Sequence, residues 1–110
     1  MDKKVNRVIK SYIQSVLNQQ PDLLYAYLFG SYAKNNQKAE SDIDIALVFN
    51  SLPEDDKFNT QVRLMMLATD IDNRIEPHPI SKQEFLSKNP FVSEILKTGK
   101  QIRFTLAETK

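Results

Sequence analysis

The sequence contains no cysteine, which excludes disulfides, thiolate metal sites and a cysteine nucleophile. Histidine occurs once, at His78, so a multi-histidine zinc centre is excluded as well. Neither sign of charge is in excess: 15 Lys and Arg against 14 Asp and Glu leave a formal net charge of +1. Such a balance provides no overall field to recruit nucleic acid or a membrane surface, though it leaves room for local patches. No apolar run approaches the length of a membrane span. The opening Met1-Asp2-Lys3-Lys4-Val5 leads into a polar-interrupted segment and not the apolar region of a secretory signal. These absences predict a cytoplasmic protein without a membrane partner and make no strong case for nucleic acid.

What is present is ordinary for a globular chain: 110 residues, 41% hydrophobic and 26% charged. The length predicts a single domain over residues 1–110, with one modest core and no separate domain to grip a substrate. Any macromolecular acceptor is therefore expected to dock from outside.

Apolar residues at Val5, Val8, Ile9, Tyr12, Ile13, Val16 and Leu17 form one stripe at helical spacing. Pro21 and Asp22 end that helix, and Leu23 to Phe29, closed by Gly30, reads as a strand buried on both faces. Lys34 to Ser41 reads as a loop. A second strand is predicted over Ile43–Phe49, with Ile43, Ile45, Leu47 and Phe49 on one face and Asp42, Asp44, Ala46 and Val48 on the other. Glu54, Asp55 and Asp56 suit a helix start. The helix from about Lys57 to Ile71 would carry Phe58, Val62, Met65, Met66 and Thr69 along one face, widened by Leu64 and Leu67, with both methionines in the core. Arg74-Ile75-Glu76 is a candidate third strand cut off by Pro77 and Pro79. A last helix is expected over Phe85–Thr98, with Phe91, Val92, Ile95 and Leu96 apolar and Gly99 as terminator, and Gln101 to Leu106 would add an edge strand. This order predicts an α+β fold: a small mixed sheet with helices packed mainly on one face.

The chemistry is concentrated in Gly30-Ser31 and, eleven residues after Ser31, Asp42-Ile43-Asp44. Carboxylates two residues apart on a strand share a face. Partly buried, they repel unless a cation lies between them. Magnesium, a hard ion that takes oxygen ligands and binds phosphate, meets that need better than zinc or copper. A glycine where the first strand turns allows backbone to approach a phosphate, and the following helical turn would point N–H groups at the anion. Lys34 is near enough in sequence to add positive charge. Together these residues would cradle the β- and γ-phosphates and position the α-phosphorus for in-line attack.

Gly-Ser, a loop, then Asp-x-Asp followed by apolar residues resembles the minimal nucleotidyltransferases of the DNA polymerase β superfamily. The likeness runs from the first helix to roughly the last, including the Ile75-Glu76-Pro77-His78 segment and the Asn89-Pro90-Phe91 helix with Gly99 after it. It implies a polymerase β-type fold with Gly30, Ser31 and Lys34 toward the nucleotide. Asp42, Asp44 and Glu76 would be the catalytic carboxylates and ligands of two magnesium ions. It further implies a donor such as ATP and an acceptor hydroxyl, in small stand-alone relatives a tyrosine of a HEPN-domain toxin that the nucleotidyltransferase neutralises as an antitoxin. Two positions depart from the pattern. Lys34-Asn35 stands where relatives commonly have Arg-Gly, and asparagine tolerates the positive φ required there; Glu76 stands where the wider superfamily has Asp.

Other residues read more simply. His78, between two prolines, is expected to be structural. Tyr32 would either stack on a base or pack beneath the loop, and Glu76 would otherwise pair with Arg74 at the surface. Besides a nucleotidyltransferase, the sequence is compatible with a non-catalytic binding module that occupies a toxin or accompanies a larger transferase. Transfer to a small molecule such as an aminoglycoside is the weaker reading, since nothing supplies the further domain that grips the drug.

Overall fold

A computed structural model describes residues 3–35, 37–38 and 41–105. Helix α1 spans Lys3–Gln19, β1 Leu23–Phe29 and β2 Ile43–Phe49. A 3-10 turn, Glu54–Asp56, leads into α2, Lys57–Ile71; then follow β3 Ile75–Ser81, α3 Lys82–Ser87, α4 Pro90–Thr98 and β4 Lys100–Ile102. The strands form one mixed sheet in the order β3-β2-β1-β4. The β1–β2 and β1–β4 pairs are antiparallel, while β2 and β3 are parallel, joined by a crossover through α2. No described helix is long and apolar enough to cross a membrane.

The face assignment of β2 holds for its apolar residues. Ile43, Ile45, Leu47 and Phe49 enter a cluster with Val5, Ile9, Tyr12, Ile13, Val16 and Leu17 of α1 and Leu64 and Ala68 of α2. Ala46 and Val48 face the other way and meet Ile80, Val92 and Ile95, with Tyr27, Phe29 and Phe85 packed alongside. The two long helices thus lie on one face, and the short α4 covers part of the other. The Tyr12 hydroxyl is buried between the long helices and donates to the Leu64 carbonyl at 3.0 Å; burial raises its pKa.

Five expectations are corrected. β1 is buried on the α1 side only: Leu23, Ala26 and Leu28 are enclosed, Tyr27 and Phe29 are half-buried and Tyr25 is exposed. β3 does not stop at Pro77 but runs through both prolines to Ser81. It is an edge strand, and residues 77 and 79 turn their backbone away from β2, where a missing N–H breaks no ladder bond. The Pro77 carbonyl accordingly accepts from Gln61 Nε2 of α2 at 3.0 Å.

The last helix is two helices. Lys88 adopts a left-handed conformation (φ 52°), and Asn89 caps the second helix by accepting from the Val92 N–H at 2.9 Å ahead of Pro90. Of its apolar residues Val92 and Ile95 are buried, whereas Phe91 and Leu96 are exposed. The edge strand is shorter than expected, Lys100–Ile102, and Leu106 lies outside the described residues.

Helix α2 buries Thr60, Leu64 and Ala68, with Leu67 and Ile71 partly enclosed. Phe58 is 76% exposed and Met66 65%, with Val62 and Met65 also at the surface, so the methionines are not core. The helix carries two apolar stripes, and the crossover from β2 to β3 decides which one faces the sheet.

Candidate functional site

Antiparallel pairing sets the end of β1 beside the start of β2, with Phe29 opposite Asp44. Parallel pairing brings the start of β3 to the same end, with Glu76 opposite Asp44 and His78 opposite Ala46. Gly30, Asp42, Asp44 and Glu76 therefore gather at one end of the sheet. Asp44, Glu76 and His78 lie on the face that β2 turns toward α4.

Gly30 has φ +75°, and a β-carbon placed there would lie 2.5 Å from Asp44 Oδ2. Glycine is thus required twice, by the backbone conformation and by the carboxylate occupying the space of a side chain. Residues 30–35 form a turn in which the Lys34 N–H donates to the Gly30 carbonyl at 3.2 Å. Asn35 has φ 59°, the conformation for which its residue type was noted. Tyr32 is buried, which favours packing beneath the turn over stacking on a base. The Lys34 ammonium lies 3.9 Å from Glu94 of α4, with both side chains largely exposed. That distance and exposure make a weak pair that leaves the lysine adaptable.

Arg74 ties the segments together. Its guanidinium donates to Asp72 at 3.0 and 2.8 Å and to the Tyr32 hydroxyl at 3.0 Å, while its carbonyl accepts from the Ile43 N–H at 2.8 Å. One residue thus links the turn after β1, the start of β2 and the entry to β3. The Arg74 hydrogen bond holds the Asp72 carboxyl below its ordinary pKa. The sequence reading missed this role, having considered Arg74 only as a surface partner for Glu76.

It also missed a second contact. His78 Nε2 lies 3.2 Å from Asp44 Oδ1, and the imidazole packs edge-on against Phe29 with ring centroids 4.9 Å apart. The signal was the spacing: His78 is two residues beyond Glu76, so a strand that continued through Pro77 would place both on one face. Truncating β3 at the proline hid it.

Asp42 lies one residue before β2 and is exposed, whereas Asp44 and Glu76 are half-buried. Among the described residues no three His, Asp or Glu side chains are drawn together closely enough to hold a metal as they stand. The donor set is nevertheless all carboxylate oxygen, which suits a hard divalent cation and suits zinc or copper poorly. The wedge of Asp44 against Gly30 puts such a donor at the turn after β1, and the residues fit magnesium chemically.

The sequence profile described as polymerase beta, nucleotidyltransferase matches residues 11–105. No curated protein matches the chain. Among solved structures, a candidate nucleotidyltransferase from Sulfolobus solfataricus is 21% identical with a TM-score of 0.62, over 90% of this chain and 78% of that one. A chain from a toxin–antitoxin structure with AMP-PNP is 26% identical with a TM-score of 0.57, over 86% of this chain and 73% of that one. A chain from the tri-AMPylated Shewanella oneidensis HEPN toxin in complex with MNT antitoxin is 23% identical with a TM-score of 0.56, over 94% of this chain and 74% of that one. The first and third establish likeness of fold. With the profile spanning nearly the whole chain and the glycine turn set against Asp44, this protein belongs to the polymerase beta nucleotidyltransferase family.

Proposed function

We propose that this chain is a magnesium-dependent nucleotidyltransferase that moves AMP from ATP to a hydroxyl on a partner protein, a tyrosine of a HEPN-type toxin, and so acts as an antitoxin. The observation that carries the reading is the seating of Asp44 against the Gly30 turn, with Glu76 in register beside it. Family membership supports nucleotidyl transfer. A relative at 26% identity solved as a toxin–antitoxin complex with AMP-PNP supports the partner class and the adenine nucleotide.

In this reading the turn from Gly30 through Ser31 receives the triphosphate, and Lys34 swings from its weak contact with Glu94 to add charge. Asp42, Asp44 and Glu76 would hold two magnesium ions, whose chemistry when bound would be to lower the pKa of the acceptor hydroxyl and to offset charge on the departing pyrophosphate. The acceptor hydroxyl gives up its proton to solvent water, its oxygen forms a bond to the α-phosphorus, the bond from that phosphorus to the bridging oxygen breaks, and pyrophosphate leaves with the electron pair. Tyr32, held beneath the turn by Arg74, keeps the cradle in place.

The test is incubation of the purified chain with magnesium, α-labelled ATP or GTP and a HEPN-type toxin, beside the Asp42→Asn/Asp44→Asn double variant. Label on the toxin that disappears in the variant is the expected result. Undiminished label in the variant would sink the proposal. A second reading, a binding module without catalysis, draws on the carboxylates not being gathered among the described residues. It predicts no label and equal neutralisation of the toxin by both proteins.

A further inference from the structure

Both oxygens of Asp44 are placed by neighbours: Oδ2 fills the space beside Gly30, and Oδ1 faces His78 Nε2 at 3.2 Å. The imidazole in turn is held from three directions. Phe29 meets it edge-on at 4.9 Å, and Phe91 of α4 lies 6.1 Å away and packs on Phe29 at 5.5 Å. The third constraint is covalent. In Glu76-Pro77-His78-Pro79 each proline fixes its own φ and confines the residue before it to extended backbone, so both Glu76 and His78 have little conformational freedom. The stiffest stretch of β3 thus carries a site carboxylate and the histidine that reaches Asp44. Asp42, by contrast, is exposed and lies outside the strand.

We propose that His78 is the positioning residue of the site: its Nε2–H donates to Asp44 Oδ1 and fixes the carboxylate so that Oδ2 stays at the Gly30 turn, ready to meet a divalent cation. This rests on the reading of Asp42, Asp44 and Glu76 as cation ligands. Carboxylate ligands are held by hydrogen bonds from a surrounding layer of residues, and losing such a partner weakens metal affinity about 10–100-fold. The neutral imidazole with its proton on Nε2 suffices. His78 touches neither donor nor acceptor in this scheme.

The test measures Mn2+ binding by electron paramagnetic resonance, with thermal melts alongside, for the intact chain and four variants. His78→Phe keeps a ring beside Phe29 and Phe91 but has no donor; His78→Gln keeps an N–H at the reach of Nε2; His78→Met matches glutamine in length without the donor. The Asp42→Asn/Asp44→Asn variant is the control. The expected pattern is Mn2+ affinity about 10-fold or more weaker in the Phe and Met variants, near-normal affinity in the Gln variant, and melting temperatures that do not follow that order. Binding in the Phe or Met variant equal to the intact chain overturns the inference, as does a Gln variant no better than Met. Mn2+ binding by the intact chain that the double variant retains would instead refute the carboxylate site itself, and the inference with it.

Discussion

A missing side chain decides whether the turn after β1 can lie against Asp44. Replacing Gly30 with alanine forces a β-carbon into the space of Asp44 Oδ2 and places an L-residue at φ +75°. The backbone conformation alone costs about 1–2 kcal/mol. Gly30→Ala is expected to melt at lower temperature and to lose Mn2+ affinity together, whereas Asp44→Asn should lose affinity with little change in melting. Equal melting of Gly30→Ala and the parent chain would contradict the packing described. At Asp72 the expectation concerns pH. Its folded pKa is lowered, chiefly by the hydrogen bond from Arg74, so its contribution to stability is present above the ordinary carboxylate pKa and is lost as pH falls through the lowered value. Asp72→Asn should therefore lower stability at pH 7 by about 1 kcal/mol in urea denaturation, and the difference should begin to shrink below pH ~4 and close once the pH is under the lowered folded value. A gap that persisted at low pH would show that charge on Asp72 is not the cause.

Among single residues, the gathering of Gly30, Asp42 and Asp44 at one end of the sheet was legible from strand period, and Glu76 joined them through the family resemblance alone. Arg74 and His78 were not. Each acts through a partner far along the chain, 42 residues for Arg74 with Tyr32 and 34 for His78 with Asp44. Only strand register reveals such neighbours.

Among the elements, α2 separates pattern from packing. Its stripe of Phe58, Val62, Met65 and Met66 and its stripe of Thr60, Leu64 and Ala68 were both apolar enough to be core, and tertiary context chose the second. Leu64→Ala is expected to cost about 2–5 kcal/mol, and Met66→Ser less than about 0.5 kcal/mol, by urea denaturation. The reverse order would mean that the Met66 face of α2, and not the Leu64 face, is the one packed on the sheet. α4 depends on its cap. Asn89→Ala removes the acceptor for the Val92 N–H and should cost about 1 kcal/mol, and Asn89→Gly less. The α3–α4 break was hidden because the Phe85–Thr98 periodicity outweighed the Asn-Pro pair, which marks a cap and first turn.

For the molecule as a whole, both clusters are built on opposite faces of one strand, β2. We therefore expect Leu47→Ala on one face and Val48→Ala on the other to lower the same single unfolding transition, with near- and far-ultraviolet circular dichroism changing together. Two separable transitions would mean that the faces fold independently. The order of elements and the division of β2 between its faces were readable from hydrophobic period. The length of β3 was not, because proline argues against a strand unless its position in the sheet is known.

The position of those prolines has a consequence for association. β3 forms one border of the sheet, and Pro77 and Pro79 remove the N–H groups that an incoming strand would need there. The opposite border, β4, spans only Lys100–Ile102. Neither border is a good template for strand-by-strand polymerisation, so crowding such a protein should not seed fibrils from its sheet, and a partner must grip it by side chains, through helix faces and turns.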